Sequence, residues 1–404
     1  MHVLFIHQNF PAQFGHIAAY LAQRKGFRST FISEQAPGND GGIERIQYKI
    51  AGGATAQTHY CSRSYENAIW HSHAIHEALA ARTDIRPDLV VAHSGFLSTV
   101  FLRELYDCPI VNYFEYFYRT QGADLDFRAD FPYPAINKLR ARARNAILLM
   151  DLEDCDAGYS PTRWQRSLFP RLFQDKVRTI FDGIDTTVWR PQPGLPRRIG
   201  DRTLPDDVRI VSYVSRGMES IRGFDIFMQA AKRIGQRRGD VLFVVVGEDR
   251  VCYGGDLDFT GGQTFKQWVL ARDDYDLSRF VFTGLMPTPD LARLFSITDL
   301  HIYLTVPFVL SWSLMDALAC GATVLASNTA PVREMIDHGR NGLLTDFFDA
   351  EALADAACRV LDAPRDFKHL GKAGMELIRE RYSLDVCLPR MLHLYEDACA
   401  ARRE

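Results

Sequence analysis

Two arginines give the first chemical hint. The stretch Ser215-Arg216-Gly217-Met218-Glu219-Ser220-Ile221-Arg222-Gly223 places two guanidiniums six residues apart. An apolar run, Ile210 to Val214, precedes it, and a segment of helical spacing, Phe224 to Gln236, follows. A guanidinium forms paired hydrogen bonds to phosphate oxygens. Loops at the carboxyl ends of parallel strands are where such sheets bind ligands. The pair therefore suits an anionic phosphate group, against the plainer alternative of two solvated arginines in a surface turn. A second hint is FVLSWSLMDALACGATVLAS, Phe308 to Ser327. It reads as a polar turn, an Ala-rich helix, a stop at Cys320-Gly321 and a buried strand. Ser313 and Asp316 have a capping-box-like spacing, with Asp in place of Glu. Free backbone N–H groups at such a helix start favour anions. Asp316, one turn in, is placed to accept hydrogen bonds from ribose hydroxyls. On spacing alone, dipole complementation at a helix start is the better account of it.

Other chemistry-bearing clusters are weaker. His73, His76 and Glu77 share one face of a predicted helix, but exposed histidines on an amphipathic helix are far commoner than metal ligands, and no metal is expected. There is no GxGxxG after the first strand and no GxxxxGK[ST], so neither a dinucleotide fold nor a P-loop is indicated. Gly41-Gly42, Gly52-Gly53, Gly254-Gly255 and Gly261-Gly262 read as loop hinges. The aromatic run Tyr113-Phe114-Glu115-Tyr116-Phe117-Tyr118 reads as partly core. Asp124, Asp126 and Asp130 follow it and argue against a nucleic-acid groove.

The elements that must position these residues alternate. His2 to His7 is a strand, Gly15 to Gln23 a helix and Arg28 to Ile32 a strand. Ser64 to Ala81 is a helix, Leu89 to His93 a strand, then a helix runs through Phe101 and Leu105. A strand starts at Pro109. Ile136 to Met150 is a helix carrying Arg140, Arg142 and Arg144, and Ala157 to Ser160 and Arg178 to Phe181 are strands. Trp189 to Asp207 holds four prolines and few apolar residues, as a linker would. Beyond it the alternation restarts with Ile210 to Val214, Val241 to Gly247, Phe280 to Thr283, Leu300 to Leu304 and Thr323 to Ala326. Continuous apolar strands between helices predict parallel sheets covered on both faces. The reading is α/β, with two doubly wound domains in tandem and a cleft between them: 1–190 plus a final helix at 384–404, and 208–383, joined by 191–207.

Composition bounds the class. The 404 residues are 47% hydrophobic and 24% charged, with a formal net charge of -3. That is an ordinary globular balance with no bulk field for nucleic acid. Eight scattered cysteines without a CxxC pair suggest reduced thiols and a cytoplasmic protein. No apolar run approaches the roughly 20 residues that span a bilayer. The basic helix 138–144 leaves room for peripheral contact with the inner face of the cytoplasmic membrane.

Several motifs, in order, resemble the family-4 glycosyltransferases of the GT-B type over essentially the whole chain. LMDALACGATVLAS resembles that family's LLEAMACGxPVVAS. SRGMESIRGFD resembles its GRLxxEKGxD phosphate loop, with Arg222 where Lys is usual. FDGIDTTVWRP, PDLVVAH, HQNFPAQFGHIA and SPTRWQRSLFP also match, the last two a bacterial subgroup that acts on polysaccharides and glycolipids. The resemblance implies a GT-B fold of two Rossmann-like domains. It implies a retaining transferase that uses a nucleotide-sugar co-substrate, UDP-linked before GDP-linked, and neither metal nor other cofactor. Its acceptor would be a saccharide or a lipid-linked saccharide. Arg216 and Arg222 would meet the diphosphate, Asp316 the ribose, and Ser311, Trp312, Ser313 and Leu314 the phosphate and sugar. Met286 would lie near the base. Phe10, Gly15 and His93 would face the acceptor. Two residues depart from the pattern. Phe308 stands where the family's first EX7E glutamate binds donor-sugar hydroxyls, and Val309-Leu310-Ser311 replaces the usual GFG. Glu115 stands where a histidine is frequent, still able to accept a proton or a sugar hydroxyl. The alternatives are another GT-B enzyme, an epimerase or phosphorylase, and a non-catalytic sugar-nucleotide-binding subunit.

Overall fold

The apolar runs become two parallel sheets in the computed structural model, which describes residues 1–402. They lie in two units. The first comprises Met1–Thr120, Pro134–Gly183 and the chain from Leu384; the second comprises Gln121–Tyr133 and Ile184–Ser383.

In the first unit the strands are β1 (His2–Ile6), β2 (Arg28–Ser33), β3 (Gly38–Asp40), β4 (Ile43–Gln47), β5 (Leu89–His93), β6 (Ile110–Tyr113), β7 (Ala157–Ser160) and β8 (Val177–Thr179). Their order is β3-β4-β2-β1-β5-β6-β7-β8, and every pair except β3–β4 is parallel. β1 and β5 are buried throughout because helices cover both faces. Those helices include α1 (Gly15–Ala22), α2 (Arg63–Ala80) and α3 (Ala135–Asp154). The helix Leu384–Ala401 returns to this unit and inserts Met391, Leu394 and Tyr395 among Val3, Phe5, Phe14 and Val91.

Two local expectations fail here. The β3–β4 hairpin was not predicted: β3 is Gly-Asn-Asp, fully exposed, so it carries no apolar alternation. Its turn is Gly41-Gly42, at φ +57° and +93°, a region glycine enters without steric cost. The helix expected through Phe101 and Leu105 shrinks to one 3-10 turn, Leu102–Glu104. Upstream, Ser98 and Thr99 bond the buried Asp151 carboxylate of α3 instead of starting a helix.

The second unit has a two-stranded ribbon, β9 (Arg198–Ile199) with β10 (Arg202–Thr203), and a six-stranded sheet. That sheet is β11 (Arg209–Gly217), β12 (Val241–Glu248), β13 (Phe280–Gly284), β14 (Leu300–Tyr303), β15 (Val324–Ser327) and β16 (Leu343–Thr345), in the order β13-β12-β11-β14-β15-β16, all parallel. Helices α4 (Phe224–Arg237) and α5 (Trp312–Ala319) follow β11 and β14. The unit begins at Ile184 rather than after a linker at 191–207. The proline-rich stretch is bound into it: Arg197 Nη2 donates to Asp299 Oδ2 and the Val208 carbonyl, each at 2.7 Å.

Residues 121–133 were assigned to the first domain but pack in the second unit. Phe131 lies in its core. The buried Arg128 guanidinium bonds both carboxylate oxygens of Asp225, at 3.0 and 2.6 Å, and the Ser220 carbonyl at 2.9 Å. One buried arginine and two phenylalanines four residues apart, Phe127 and Phe131, inside a polar run are too short a signal to assign the segment to a unit.

Candidate functional site

In the second unit Arg216 is the penultimate residue of β11, and Arg222 ends a 3-10 turn, Ser220–Arg222, immediately before α4. Both therefore stand at the carboxyl end of a central strand. Arg216 is exposed. Arg222 is buried, and its Nη1 donates to Thr305 Oγ1 at 2.8 Å and the Val309 carbonyl at 3.0 Å. Among the described residues neither forms an ion pair with a carboxylate. Neither positive charge is neutralised by a described carboxylate.

Phe308 belongs to the same cluster. Its ring lies 5.5 Å from the Arg222 guanidinium carbon and 5.9 Å from the Tyr253 ring, while Arg222 sits 5.6 Å from Tyr253. Where the resembled family places a carboxylate, this chain holds a cation between two aromatic faces, an attraction that leaves its charge unneutralised.

The cap of α5 differs from the spacing argument. Ser311, not Ser313, is the N-cap, and its hydroxyl accepts from the Ser313 N–H at 3.3 Å. The extended backbone of Ser311 is what a cap requires, whereas Ser313 is already helical. The backbone N–H groups expected to be free are engaged: Ser311 donates to the Tyr303 hydroxyl at 3.0 Å and Leu314 to the Ser311 carbonyl at 3.3 Å. Trp312 is 45% exposed beside them. Asp316 is no cap partner either. It is buried, its carboxylate bonds no described residue, and burial holds its carboxyl well above the usual carboxylate range. Met286 is half-buried in the loop after β13, the edge strand two places from β11.

In the first unit His93 ends β5, and Glu115 follows β6, the adjacent strand. His93 Nε2 is 3.7 Å from Glu115 Oε2, and neither imidazole nitrogen hydrogen-bonds a described residue although both are buried. Gln165 Nε2 donates to the Glu115 carbonyl at 2.7 Å, and Gln165 is itself held by the N-cap Thr162. The SPTRWQ segment is thus a support for Glu115. Phe10 packs edge-on to Phe31 at 5.0 Å, and Arg45 lies 5.0 Å over its ring. Gly15 opens α1, so close to Pro11 that a Cβ would fall 2.8 Å from the proline's.

Sequence reasoning missed four residues at these places. His7 meets His93 edge-on at 5.0 Å, and burial, then His93, push its imidazole down to about 3. Gln13 Nε2 donates to Glu115 Oε1 at 3.4 Å. Tyr253 and Glu219 flank the arginines, as described below. The signal for Tyr253 was its place on the loop after β12, the strand beside β11. For α3, Arg140 bonds Ser64 and Arg144 stacks 3.9 Å over Tyr118, so only Lys138 and Arg142 of the basic stretch are exposed. No described group of His, Cys, Asp and Glu gathers as metal ligands would. No described helix is long and apolar enough to cross a membrane.

Two family models match the chain: one described as glycosyl transferase family 4 group over residues 25–189, and one described as glycosyl transferases group 1 over residues 208–363. Among curated relatives, the α-maltose-1-phosphate synthase of Mycolicibacterium smegmatis is 27% identical over 240 residues, which is 57% of this chain and 59% of the relative. The N-acetyl-α-D-glucosaminyl L-malate synthase of Bacillus anthracis is 22% identical over 223 residues, 55% of this chain and 54% of the relative. The matched part thus spans little more than half the length of these relatives. Among solved structures, a sucrose-phosphate synthase from Thermosynechococcus elongatus superposes with a TM-score of 0.75 at 18% identity, covering 99% of this chain and 100% of the other. Anabaena HepE in complex with UDP and glucose gives 0.64 at 14% identity, covering 97% and 98%.

Proposed function

The chain belongs to the family-4 glycosyltransferases of GT-B fold, and from that premise we propose that it moves a sugar, with retention, from a nucleotide-sugar donor to a saccharide or lipid-linked saccharide. The observation that carries this reading is the pair of unneutralised guanidiniums at the carboxyl end of β11, in the same unit as the buried, unpartnered Asp316 carboxylate. That combination suits a diphosphate bearing a ribose. A UDP-sugar is favoured as donor, since a structural neighbour of the same fold was solved with UDP and glucose, and a GDP-sugar is next.

In this reading Arg216 and Arg222 stabilise the diphosphate as its bond to the sugar C1 breaks. The acceptor hydroxyl oxygen bonds to C1 on the same face. Its proton passes to the departing phosphate oxygen, while Glu115, beside His93, orients that hydroxyl. Asp316 accepts from the ribose hydroxyls, and Ser311, Trp312, Ser313 and Leu314 line the phosphate and sugar. The long 3.3 Å bonds at Ser313 and Leu314 are weak enough to be exchanged for ligand oxygens. Met286 lies toward the base, and Phe10 and Gly15 toward the acceptor. No metal or other cofactor takes part.

Phe308 changes the donor pocket: the sugar is one for which a carboxylate there is useless or repulsive, a uronic or a deoxy sugar. F308E is expected to raise turnover with an ordinary neutral hexose donor; identical donor preference before and after would refute this. The exposed face of α3 presents Ile136, Leu139 and Leu149 with Lys138 and Arg142, a set suited to the surface of an anionic bilayer. Sedimentation with phosphatidylglycerol vesicles, lost in L139E, would support this contact, and equal sedimentation of both proteins would exclude it.

The first test of the activity is calorimetric titration of UDP, GDP, ADP, dTDP and CMP, then their sugar conjugates, with R216A as control. Tight binding of one nucleotide, lost in R216A, is expected. Binding of none overturns the donor assignment and favours a non-catalytic role.

A further inference from the structure

The loop leaving β12 is fastened to the loop leaving β11. Glu219 is fully buried, and its Oε2 accepts from three successive backbone N–H groups: Cys252 at 3.0 Å, Tyr253 at 2.8 Å and Gly254 at 3.0 Å. Alongside, Gly217 lies so close that a Cβ there would fall 2.4 Å from the Arg250 carbonyl oxygen and 2.7 Å from Cys252 Sγ. The backbone at Tyr253 is therefore fixed, yet the residue is 47% exposed. Its ring faces both Arg222, at 5.6 Å, and Phe308, at 5.9 Å. Its hydroxyl also lies beside the Arg216 guanidinium and favours that charge. One side chain thus lies beside both arginines, which are six residues apart in sequence and differ in burial.

We propose that Tyr253 is a positioning residue of the diphosphate site: from a loop locked by Glu219, it holds Arg222 against Phe308 and steadies Arg216, aiming both guanidiniums at one ligand with two adjacent phosphates. This rests on the donor-site reading above. The aromatic contacts orient the cations without cancelling them, which a carboxylate at either ring position would do. Two guanidiniums set at a fixed separation favour a diphosphate over a monophosphate, because only the former engages both.

The test is calorimetric titration of UDP and UMP, with GDP and GMP as the second pair, into wild type, Y253F and Y253L. Y253F keeps the ring over Arg222 and deletes only the hydroxyl, so its fold is retained; thermal midpoints are compared to confirm this. Diphosphate affinity is expected to fall about threefold or more in Y253F, which removes the polar group beside Arg216. It falls further in Y253L, while monophosphate affinity stays within about twofold in both. Diphosphate binding unchanged in both variants, or equal losses for diphosphate and monophosphate, overturns the proposal and leaves the donor reading standing. Failure of wild type to bind UDP or GDP overturns the donor reading itself and this proposal with it.

Discussion

Asp316 keeps a carboxylate out of water with no partner, an expensive arrangement unless a ligand supplies the donors. Burial sets its folded-state pKa above the unfolded one. The carboxyl therefore contributes stability that is complete below the ordinary aspartate range and is lost as pH rises through the folded value. Ribose hydroxyls favour the charged form and would drive the proton off. UDP binding is expected to release a proton, seen as a dependence of calorimetric enthalpy on the ionisation heat of the buffer. D316N should abolish that dependence and weaken UDP by about ten- to a hundredfold; unchanged affinity would leave Asp316 with no part in binding. His7 has the opposite sign. Its pKa of about 3 lies below the unfolded value near 6.5, so its contribution is present above that value and is lost as pH falls through the interval between them. H7Q keeps an acceptor near the Asn9 N–H and should flatten the acid limb of a urea-denaturation series. An acid limb as steep as wild type would show that His7 is not the group responsible. Residue types were legible at this scale, whereas the states of Asp316 and His7 were not, because burial by distant segments creates them.

At the scale of elements, the loop after β5 is held by α3. Asp151 accepts from Ser94 Oγ and Ser98 Oγ, each at 2.5 Å, and from the Thr99 N–H at 3.1 Å, with no exposure to water. Burial pushes its carboxyl up to about 6. D151A strands these donors and is expected to cost about 3 kcal/mol, at roughly 1–3 kcal/mol per stranded group less relaxation, measured by chemical denaturation. A loss below about 0.5 kcal/mol would mean that water replaces the carboxylate. The strands of both sheets were readable from continuous apolar runs. The cap of α5 was not: Ser311 and Ser313 are chemically identical candidates, and the chain turns at Ser311, whose N–H donates to the distant Tyr303 hydroxyl.

For the whole molecule, the chain passes between its units at four places, 120–121, 133–134, 183–184 and 383–384. Neither unit is therefore one continuous piece of sequence. Arg128 lends the second unit a charge that its buried partner Asp225 requires. R128L leaves that carboxylate unpaired and should cost about 3–5 kcal/mol. Residues 184–383 expressed alone should lack cooperative unfolding, and fusing 121–133 to them should restore it. A cooperative melt of 184–383 alone would show the strap to be dispensable.

By itself the sequence determined the α/β class, the two sheets, the family and the two arginines, because strand periodicity, helix spacing and short motifs are local properties. Tertiary structure alone decided that residues 121–133 serve the second unit, that Arg222 lies between Phe308 and Tyr253, and that Glu219 pins the loop bearing Tyr253. These depend on contacts between segments tens of residues apart, where a lone aromatic or charged side chain acquires its role from neighbours that no local pattern specifies.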